Sequence, residues 1–409
     1  MLKRISVRHL TLGMHIDGFC APWMEHPFWR NHFVLTDPQD IARIRASTVQ
    51  ELWIDTSKGL DIAPPATLPT LPETAAVITP ATDPTPQRDT VPTTAAAEYA
   101  RAAQICAKAK LAVTAMFQEA RLGQMVQTGL AEQVVQEISD SVMRNPSAMV
   151  SLARIKTADD YTYMHSVAVC ALMVALALQL KLDPAQTRSA GMGGLLHDLG
   201  KSLMPPEVLN KPGKLTDAEF TLIKAHPVKG HMLLVECLTD DPAVLDIVLH
   251  HHERTDGSGY PSGQADDGIS LLAKMGAICD VYDAITSDRP YKKGWDPAES
   301  LKKMAEWTHG HLDTQVFHAF VKSMGIYPTG SLVRLASGRI AVVTGQSAST
   351  LLKPIVKVFF STQSDMRITP MVVDLSAPSC TDKISGREDP AYWRFPDLNQ
   401  LWSGLGPLS

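Results

Sequence analysis

The sequence predicts a mainly α-helical protein, in which an all-α helical bundle lies between a small α+β N-terminal domain and a short C-terminal β extension. Three observations support this fold class. Residues 150–326 consist of apolar helical segments separated by Pro and Gly, and strand patterns are almost absent there. Alternating or apolar segments typical of strands precede and follow this region. Residues 63–94 are rich in Pro, Thr and Ala, which predicts a linker.

The N-terminal domain is predicted to span residues 1–62, and a sensory or regulatory role is one interpretation of it. Residues 5–7, 10–12 and 51–55 are typical of strands, and residues 37–45 can form a helix. These short elements are enough for a small mixed domain.

A helical connector is predicted at residues 95–149, with a break near Gly123 and Gly129. The connector either packs on the following domain or forms a dimerisation surface, and the sequence leaves both open. The bundle domain is then assigned to residues 150–326. Its longest apolar run, Val167–Leu180, is too short to span a bilayer comfortably, so we expect a buried core helix.

Capping signals divide the rest of the bundle. Residues 216–219, Thr-Asp-Ala-Glu, have the pattern of a capping box and open a helix that we expect to end near His226. Asp241-Pro242 precedes a helix that ends in a run of histidines. Residues 270–287 predict another helix, and Asp296-Pro297 is expected to begin the last one.

The C-terminal segment, residues 327–409, is predicted to be a β extension followed by a loose tail beyond Pro378. Its four predicted strands are residues 331–335, 340–344, 355–359 and 371–375.

Composition limits the class of partner and the compartment. The formal net charge is −5, which argues against a nucleic-acid polymer as the main partner but allows a small nucleotide in a local basic pocket. The six cysteines are scattered without a CxxC pair, so we expect no disulfide framework and a reducing compartment. No signal peptide or membrane span is evident, and a cytoplasmic location is predicted.

The chemistry is predicted to centre on His197 and Asp198, which end the apolar, glycine-containing run Gly193–Lys201. An imidazole and a carboxylate are good ligands for a divalent first-row metal ion. Adjacent residues on a helix point about 100° apart, so this pair can contact one ion from two directions or reach two ions. Taken alone, the pair is more simply interpreted as a polar helix end.

Other segments supply further residues of the ligand type, and each has a simpler alternative. His165 can be a core histidine and His226 a helix-end residue, whereas Asp280 and Asp283, at i and i+3, can face solvent. Three consecutive histidines, residues 250–252, are harder to explain by packing. Together these residues favour a metal site over isolated structural roles.

The segment His251–Pro261, His-His-Glu-Arg-Thr-Asp-Gly-Ser-Gly-Tyr-Pro, closely resembles the HD-GYP family, which is named after an HD pair and a Gly-Tyr-Pro loop. In this sequence the pair is His197-Asp198 and the loop is Gly259-Tyr260-Pro261. The resemblance covers about residues 150–326 and implies an HD-type helical bundle. It also includes residues 161–166, 197–201, 226–227, 280–284 and 287–292. More weakly, residues 1–62 resemble an uncharacterised domain often found in front of HD-GYP domains.

The resemblance implies a bacterial phosphodiesterase that hydrolyses the 3′–5′ phosphodiester of cyclic di-GMP to linear pGpG, with GMP as a further product left open. A hydroxide activated by two divalent metal ions would attack phosphorus and expel the ribose 3′-oxygen. The implied metal ligands are His165, His197, Asp198, His226, His251, His252 and Asp280, with Asp198 bridging the two ions. His250 would lie just outside the ligand set.

Two ions are expected because Tyr161 occupies the position at which some family members are said to carry a glutamate ligand for a third ion. Oxygen and imidazole ligands without thiolate suit iron or manganese, and nickel, magnesium and zinc are the alternatives.

The resemblance also implies roles in catalysis and substrate binding. Lys201, Asp198 and Asp283 form the implied catalytic set, in which Lys201 would stabilise developing negative charge. The implied substrate-binding residues are Arg289, Lys292 and Tyr260. Arg289 and Lys292 can also be a solvated basic loop, and Tyr260 can merely pack its loop.

Two functions compete with the phosphodiesterase. One is a catalytically weak cyclic di-GMP receptor that passes a signal through the N-terminal domain, and the other is an HD-type hydrolase of another nucleotide. A homodimer and signalling partner proteins remain open alternatives for assembly.

Overall fold

The computed structural model describes residues 2–19, 33–36, 38–46, 49, 51–61, 93, 95–126, 128–153, 161–211, 213–237, 240–288, 293–347 and 350–405. It divides the chain into two compact units, Met1–Asp83 and Pro84–Ser409. The predicted fold class is confirmed, because the described residues are mainly helical and the strands lie near the two ends of the chain. Most of the predicted linker, residues 63–92 and 94, lies outside the described residues.

The first unit contains a four-stranded antiparallel sheet, whose strands lie in the order Leu2–Ser6, Glu51–Asp55, His15–Phe19 and Phe33–Val34, together with one α-helix. Its apolar core includes Ile5, Ile44 and Leu52. The strand predicted at residues 10–12 is wrong: a 3-10 turn precedes this segment, and Leu10 alone is buried while Thr11 and Leu12 are exposed. The elements are β1 Leu2–Ser6, the 3-10 helix Val7–His9, β2 His15–Phe19, β3 Phe33–Val34, α1 Pro38–Ala46 and β4 Glu51–Asp55.

The second unit begins with a helical bundle that shares one apolar core. Its helices are α2 Ala95–Arg121, α3 Thr128–Arg144, α4 Pro146–Ala153, α5 Tyr161–Gln179, α6 Pro184–Leu196, α7 Pro206–Leu209, α8 Asp217–Ile223, α9 His226–Glu236, α10 Pro242–His250, α11 Leu271–Thr286, α12 Pro297–Trp307 and α13 Thr314–Met324. Two 3-10 helices, Leu199–Leu203 and Asp266–Gly268, lie between them.

Helix α5 is the centre of this core, as its apolar sequence predicts. All residues from Met164 to Ala177 are buried. The helix is also long and apolar enough to cross a bilayer, but 78% of that window is buried inside the protein, as in a core helix. Helix α6 packs close to α5 and α10 because it carries glycines: a Cβ on Gly193 would lie 2.3 Å from Ile247 Cδ1.

The connector helices pack on the bundle, which is one of the two alternatives left open by the sequence. Residues of α2, α3 and α4 belong to the same core as α5. Gly123, with φ +65°, lies in the break between α2 and α3, as predicted. The buried carboxylate of Glu98 accepts hydrogen bonds from Arg144 Nε at 2.8 Å and from Ser141 Oγ at 2.7 Å, which ties α2 to α3.

Most predicted helix ends are confirmed, and two need correction. The capping box of Thr216 and Glu219 is present. However, α8 ends at Ile223, and His226 begins α9 instead of ending the preceding helix, because Pro227 fits the first turn of a helix. Helix α12 is not the last of the bundle, since Asp313 caps α13 after it.

The C-terminal segment forms a five-stranded antiparallel sheet, whose strands lie in the order Met366–Asp374, Ile355–Ser361, Arg339–Gly345, Leu332–Leu335 and Ile384–Arg387. The four predicted strands are present, although the strand expected at residues 371–375 begins earlier, at Met366. Its strands are β5 Leu332–Leu335, β6 Arg339–Gly345, β7 Ile355–Ser361, β8 Met366–Asp374 and β9 Ile384–Arg387.

The expectation of a loose tail beyond Pro378 is wrong for the described residues. Strand β9 is followed by the short helices α14 Pro390–Trp393 and α15 Leu398–Ser403. Trp402 is buried and its ring lies edge-on to Tyr99 of α2, with centroids 5.5 Å apart. A few aromatic side chains therefore anchor a segment whose overall composition is typical of a tail.

Candidate metal centre

Five of the predicted ligands belong to five helices that meet in the bundle, and four of these lie at or near a helix end. His165 is in the second turn of α5, His197 follows α6, His226 begins α9, His251 follows α10, and Asp280 is in α11. The five side chains are buried even though all are polar. Burying a polar side chain costs free energy unless the side chain has a partner. The convergence of these five buried side chains therefore indicates a binding site.

Close backbone contact brings two of these ends together. A Cβ on Gly200 would lie 2.0 Å from the carbonyl oxygen of His226 and 2.6 Å from the amide nitrogen of Gly230. Only glycine fits there, so the loop after Asp198 packs directly on the beginning of α9. This contact places the carboxylate of Asp198 beside the imidazole of His226.

The ligand atoms form two adjoining groups. Within each group the candidate ligand atoms lie within 4.8 Å of one another. The first group comprises His165, His197 and Asp280, and the second comprises Asp198, His226, His251 and His252. The structure thus brings together all seven residues that the resemblance implies as ligands.

Asp198 faces both groups. Its Oδ2 lies 3.5 Å from His165 Nε2 and 3.3 Å from His197 Nε2. Its Oδ1 lies 3.2 Å from His226 Nε2 and 4.0 Å from His251 Nε2. One carboxylate therefore presents one oxygen to each group, which is the arrangement that a bridging ligand requires.

Hydrogen bonds on the outer side of four imidazoles fix which nitrogen points inward. The Nδ1 atoms of His197, His226 and His251 lie 2.7–3.0 Å from the backbone carbonyl oxygens of Gly194, Ile223 and Val248, respectively. A carbonyl oxygen can only accept, so each Nδ1 carries the proton. Each Nε2 then directs a lone pair into the site, as in metal-ligating histidines.

Asp283 performs the same task for His165. Its Oδ2 lies 2.6 Å from His165 Nδ1, while Asp280 Oδ1 lies 3.0 Å from His165 Nε2 on the other side of the ring. Both aspartates are buried and contact His165, so the alternative that Asp280 and Asp283 face solvent is wrong. Asp283 contacts a ligand from outside the site and does not belong to either group.

Inside the site the inward nitrogens of the imidazoles lie close to one another. His197 Nε2 lies 3.2 Å from His165 Nε2, and His226 Nε2 lies 3.3 Å from His251 Nε2. Asp198 Oδ1 is buried and accepts no hydrogen bond, although His226 Nε2 is 3.2 Å away. Acceptors that converge at such distances repel unless a cation lies among them, so the residues fit divalent metal ions.

The pKa values of the group agree with this fit. Burial lowers the pKa of His251 well below its ordinary value and lowers that of His252 to about 3, so both rings are neutral. Burial opposes ionisation of Asp198 and Asp280, but Lys201 beside Asp198 and His165 beside Asp280 outweigh it. Both carboxyl groups keep a pKa well below the usual range and are charged. Neutral imidazoles and ionised carboxylates are the forms that bind metals.

His165 is the exception among the rings. Burial disfavours its imidazolium form, but Asp280 and Asp283 outweigh burial and raise the pKa of His165 above its ordinary value. Two carboxylates on one ring therefore hold a proton there that a metal ion would displace.

The remaining predicted residues lie around this centre. Lys201 Nζ is 2.6 Å from Asp198 Oδ2, and its side chain is 23% exposed, so it lies at the rim. The ring of Tyr260 packs on His252, with centroids 4.7 Å apart. Arg289 and Lys292 lie outside the described residues.

Three residues near the site have contacts that sequence reasoning did not foresee. The carboxylate of Glu253 is buried and accepts the backbone N–H groups of Ser262 and Gln264, just after the Gly-Tyr-Pro loop. His250 hydrogen-bonds to Asp246 and Gln264 and faces away from both groups. The ring of Tyr161 stacks on His165. The only available signal was the position of Glu253 directly after two ligands.

Comparison with known proteins identifies both parts of the chain. Residues 137–316 match a family model described as HD domain, and residues 2–131 match one described as Domain of unknown function (DUF3391). The second match extends beyond the predicted N-terminal domain into the helical connector.

Curated relatives match over different shares of the chain. The cyclic di-GMP phosphodiesterase PA4108 of Pseudomonas aeruginosa is 53% identical over 99% of this chain and 96% of its own. The 3′3′-cGAMP-specific phosphodiesterase 1 of Vibrio cholerae is 35% identical over 44% of this chain and 42% of its own. The cyclic di-GMP phosphodiesterase response regulator RpfG of Xanthomonas campestris is 45% identical over 29% of this chain and 32% of its own. With its HD pair, its Gly-Tyr-Pro loop and a relative of this similarity over nearly its full length, the chain belongs to the HD-GYP family of metal-dependent phosphodiesterases.

Proposed function

We propose that this protein is a cyclic di-GMP phosphodiesterase that opens one 3′–5′ phosphodiester to give linear pGpG, with GMP as an open alternative for the final product. The observation that carries the proposal is the pair of adjoining buried ligand groups joined by Asp198. The relative that is 53% identical over 99% of the chain carries the name of this activity. We propose a cytoplasmic location, where the substrate would be met, and keep a homodimer and signalling partner proteins as open alternatives for assembly.

The donor set suits two divalent ions, and we propose iron or manganese. The five imidazoles and two carboxylates include no thiolate, which disfavours a zinc or copper site of the sulfur type. Two such ions would lower the pKa of a water molecule and offset the negative charge of the phosphate.

Three residues of the protein would position the metal ions and stabilise charge on the phosphate. Asp198 would fix the distance between the two groups, because its oxygens face opposite sides. Lys201, at the rim beside Asp198, would place its ammonium near the phosphate and stabilise charge that develops on it. Asp283 would keep the Nε2 lone pair of His165 directed inward, so we assign it a positioning role in the catalytic set.

Substrate binding is proposed for the rim on the side of the Gly-Tyr-Pro loop. Tyr260 is partly buried against His252 and presents an aromatic face on which a base can stack. Arg289 and Lys292 are proposed to contact the phosphate or the guanine base, on the resemblance alone.

The test is hydrolysis of cyclic di-GMP by protein loaded with iron or manganese, with product separation by chromatography. We expect Asp198→Ala to abolish formation of pGpG, since both ligand groups lose their shared carboxylate. Asp217→Ala, at an exposed position in α8, is the matched control and should retain wild-type turnover. Normal turnover by Asp198→Ala would rule out the proposed mechanism.

A second candidate substrate is the mixed dinucleotide 3′3′-cGAMP, because two of the relatives are named as specific for it. Turnover of both cyclic dinucleotides by the same preparation gives the preference directly as a ratio of kcat/KM. A ratio in favour of 3′3′-cGAMP would replace cyclic di-GMP as the proposed substrate. Tight binding of either dinucleotide without turnover would instead identify a receptor.

A further inference from the structure

His252 is held differently from the other four histidines of the centre. The outer nitrogens of His165, His197, His226 and His251 each have a carbonyl or carboxylate acceptor within hydrogen-bond distance. Among the described residues neither ring nitrogen of His252 makes a hydrogen bond; Oδ2 of Asp280, a member of the first ligand group, lies 3.6 Å from Nδ1, which is too far for one. Its side chain is also 23% exposed. The orientation of this ring must therefore come from packing.

Ring contacts from three residues supply that packing, and one of them is the predicted ligand His226, whose ring centroid lies 5.1 Å away. The ring of His251 lies 4.2 Å from that of His252, centroid to centroid, and the ring of Tyr260 lies 4.7 Å away at a tilt of 33°. The amide of Tyr260 also donates to the carbonyl oxygen of His252 at 3.2 Å. His251 is itself a ligand, so the Gly-Tyr-Pro loop supplies the support that comes from outside the metal groups.

Glu253 fixes this loop in place. Its carboxylate is 3% exposed, and no lysine or arginine in the described part of the chain forms an ion pair with it. Oε1 accepts the amide N–H of Ser262 at 2.7 Å, and Oε2 accepts that of Gln264 at 3.1 Å. Both donors follow Tyr260 in the chain, so one carboxylate ties the returning end of the loop to the residue next to His252.

The packing around Glu253 leaves the loop little freedom. A Cβ on Gly259 would lie 2.5 Å from Glu253 Cα, so the loop backbone is in direct contact with the backbone of Glu253. The side chain of Gln264 donates to His250 Nε2 at 3.1 Å, which adds a second tie to α10. The loop is therefore held in place by contacts both before and after Tyr260.

We propose that Glu253 is a positioning residue for the metal ion of the second group, and that it acts through Tyr260 on His252. When the carboxylate of Glu253 holds the loop, Tyr260 stays packed against the ring of His252. The ring then keeps its ligand nitrogen in the second group, beside Asp198 and His226. Without it, His252 has no other fixed support outside the metal groups. The inference rests on the proposed two-ion centre.

The experiment measures the release of bound manganese to a chelator, together with metal content per chain. We expect the full-length wild type to hold two ions, and Glu253→Gln to release one of them about 10- to 100-fold faster, as typical for the loss of an outer contact of a ligand. Gln keeps the shape of the side chain but presents an NH₂ group to one of the two N–H donors. Asp256→Asn is the control: the side chain of Asp256 caps a turn just before the loop by accepting hydrogen bonds from Ser258, and it is not one of the hydrogen-bond partners of Glu253.

A double-mutant cycle separates positioning from general loosening of the fold. If Glu253 acts through His252, adding Glu253→Gln to His252→Ala should leave the release rates of His252→Ala unchanged. Additive effects would overturn the proposal, and so would two ions held by Glu253→Gln as tightly as by wild type. If Glu253→Gln does not fold, Tyr260→Ala must show the same selective loss of one ion for the proposal to stand. A wild type that holds fewer than two ions would refute the proposed metal centre itself.

Discussion

Replacement of Asp283 by Asn tests how the protein prepares His165 as a ligand. The carboxylate Oδ2 lies 2.6 Å from His165 Nδ1, and both side chains are almost fully buried. A carboxylate can only accept, so it holds the proton on Nδ1 and leaves the lone pair on Nε2. Asparagine is nearly isosteric but neutral, and its NH₂ group can donate to Nδ1. Donation to Nδ1 would move the ring proton to Nε2 and turn a ligand into a donor.

The expected size of the effect follows from this single contact. Loss of such an outer partner lowers metal affinity by about 10- to 100-fold, which corresponds to about 1.4–2.8 kcal/mol. Competition with a chelator at pH 7.5 measures the affinity, and the rate of pGpG formation should fall in parallel at limiting metal. Thr286→Val is the control, because Thr286 lies one turn further along α11, donates to the carbonyl oxygen of Tyr282 and does not contact His165. Wild-type metal affinity in Asp283→Asn would refute the assigned role.

Three further substitutions test the fold that carries the site. Gly200→Ala should weaken metal binding and lower the free energy of unfolding by about 1–3 kcal/mol, because its Cβ would collide with the start of α9. Gly129→Ala, which has open space around the added Cβ, is the control and should change neither quantity. Chelator competition measures metal binding, and urea unfolding measures stability. Glu98→Gln should lower the free energy of unfolding at pH 7 by about 3 kcal/mol, since the buried guanidinium of Arg144 loses its ion pair with this carboxylate. Glu137→Gln, in an exposed pair between the same helices, should cost less than about 1 kcal/mol. Trp402→Ala should cost about 3 kcal/mol or more in the same assay, whereas a loose tail would give no change.

The pH dependence of the Glu98 effect has a definite sign. Burial opposes ionisation of this carboxyl, but Arg144 and Ser141 outweigh it and hold the pKa of Glu98 below its ordinary value of 4.5. A lowered pKa in the folded state contributes stability above the unfolded pKa, and this contribution is lost as pH falls through the folded value. The difference in unfolding free energy between wild type and Glu98→Gln should therefore be constant above pH 5.5 and shrink below pH 4.5. A difference that grows on acidification would contradict the assignment.

The sequence predicted what periodicity and spacing can encode. The apolar run of α5 identified the core helix, and the capping box of Thr216 fixed the start of α8. The seven ligand-type residues could be named because the HD pair and the Gly-Tyr-Pro loop are specific motifs. Their convergence could not be derived, because it depends on close helix contacts such as that of Gly200 with the start of α9, which join residues far apart in the chain.

The predictions that the structure contradicts were wrong for physical reasons. The C-terminal tail was misjudged because a few aromatic anchors, such as Trp402 on Tyr99, decide its packing while the average composition is polar. The helix predicted to end at His226 instead stops at Ile223, since a proline after a histidine fits the first turn of a helix as well as its end. The contacts of Glu253 were not predicted because its position directly after two ligands does not show that its carboxylate is buried against backbone amides.

Anomalous X-ray diffraction from manganese-loaded crystals tests the central claim most directly. The account predicts two peaks about 3.5–4 Å apart, one beside Asp198 Oδ2 with His165 and His197, and the other beside Asp198 Oδ1 with His226 and His251. A single peak, or peaks out of reach of both oxygens of Asp198, would contradict a two-ion centre built on a shared carboxylate.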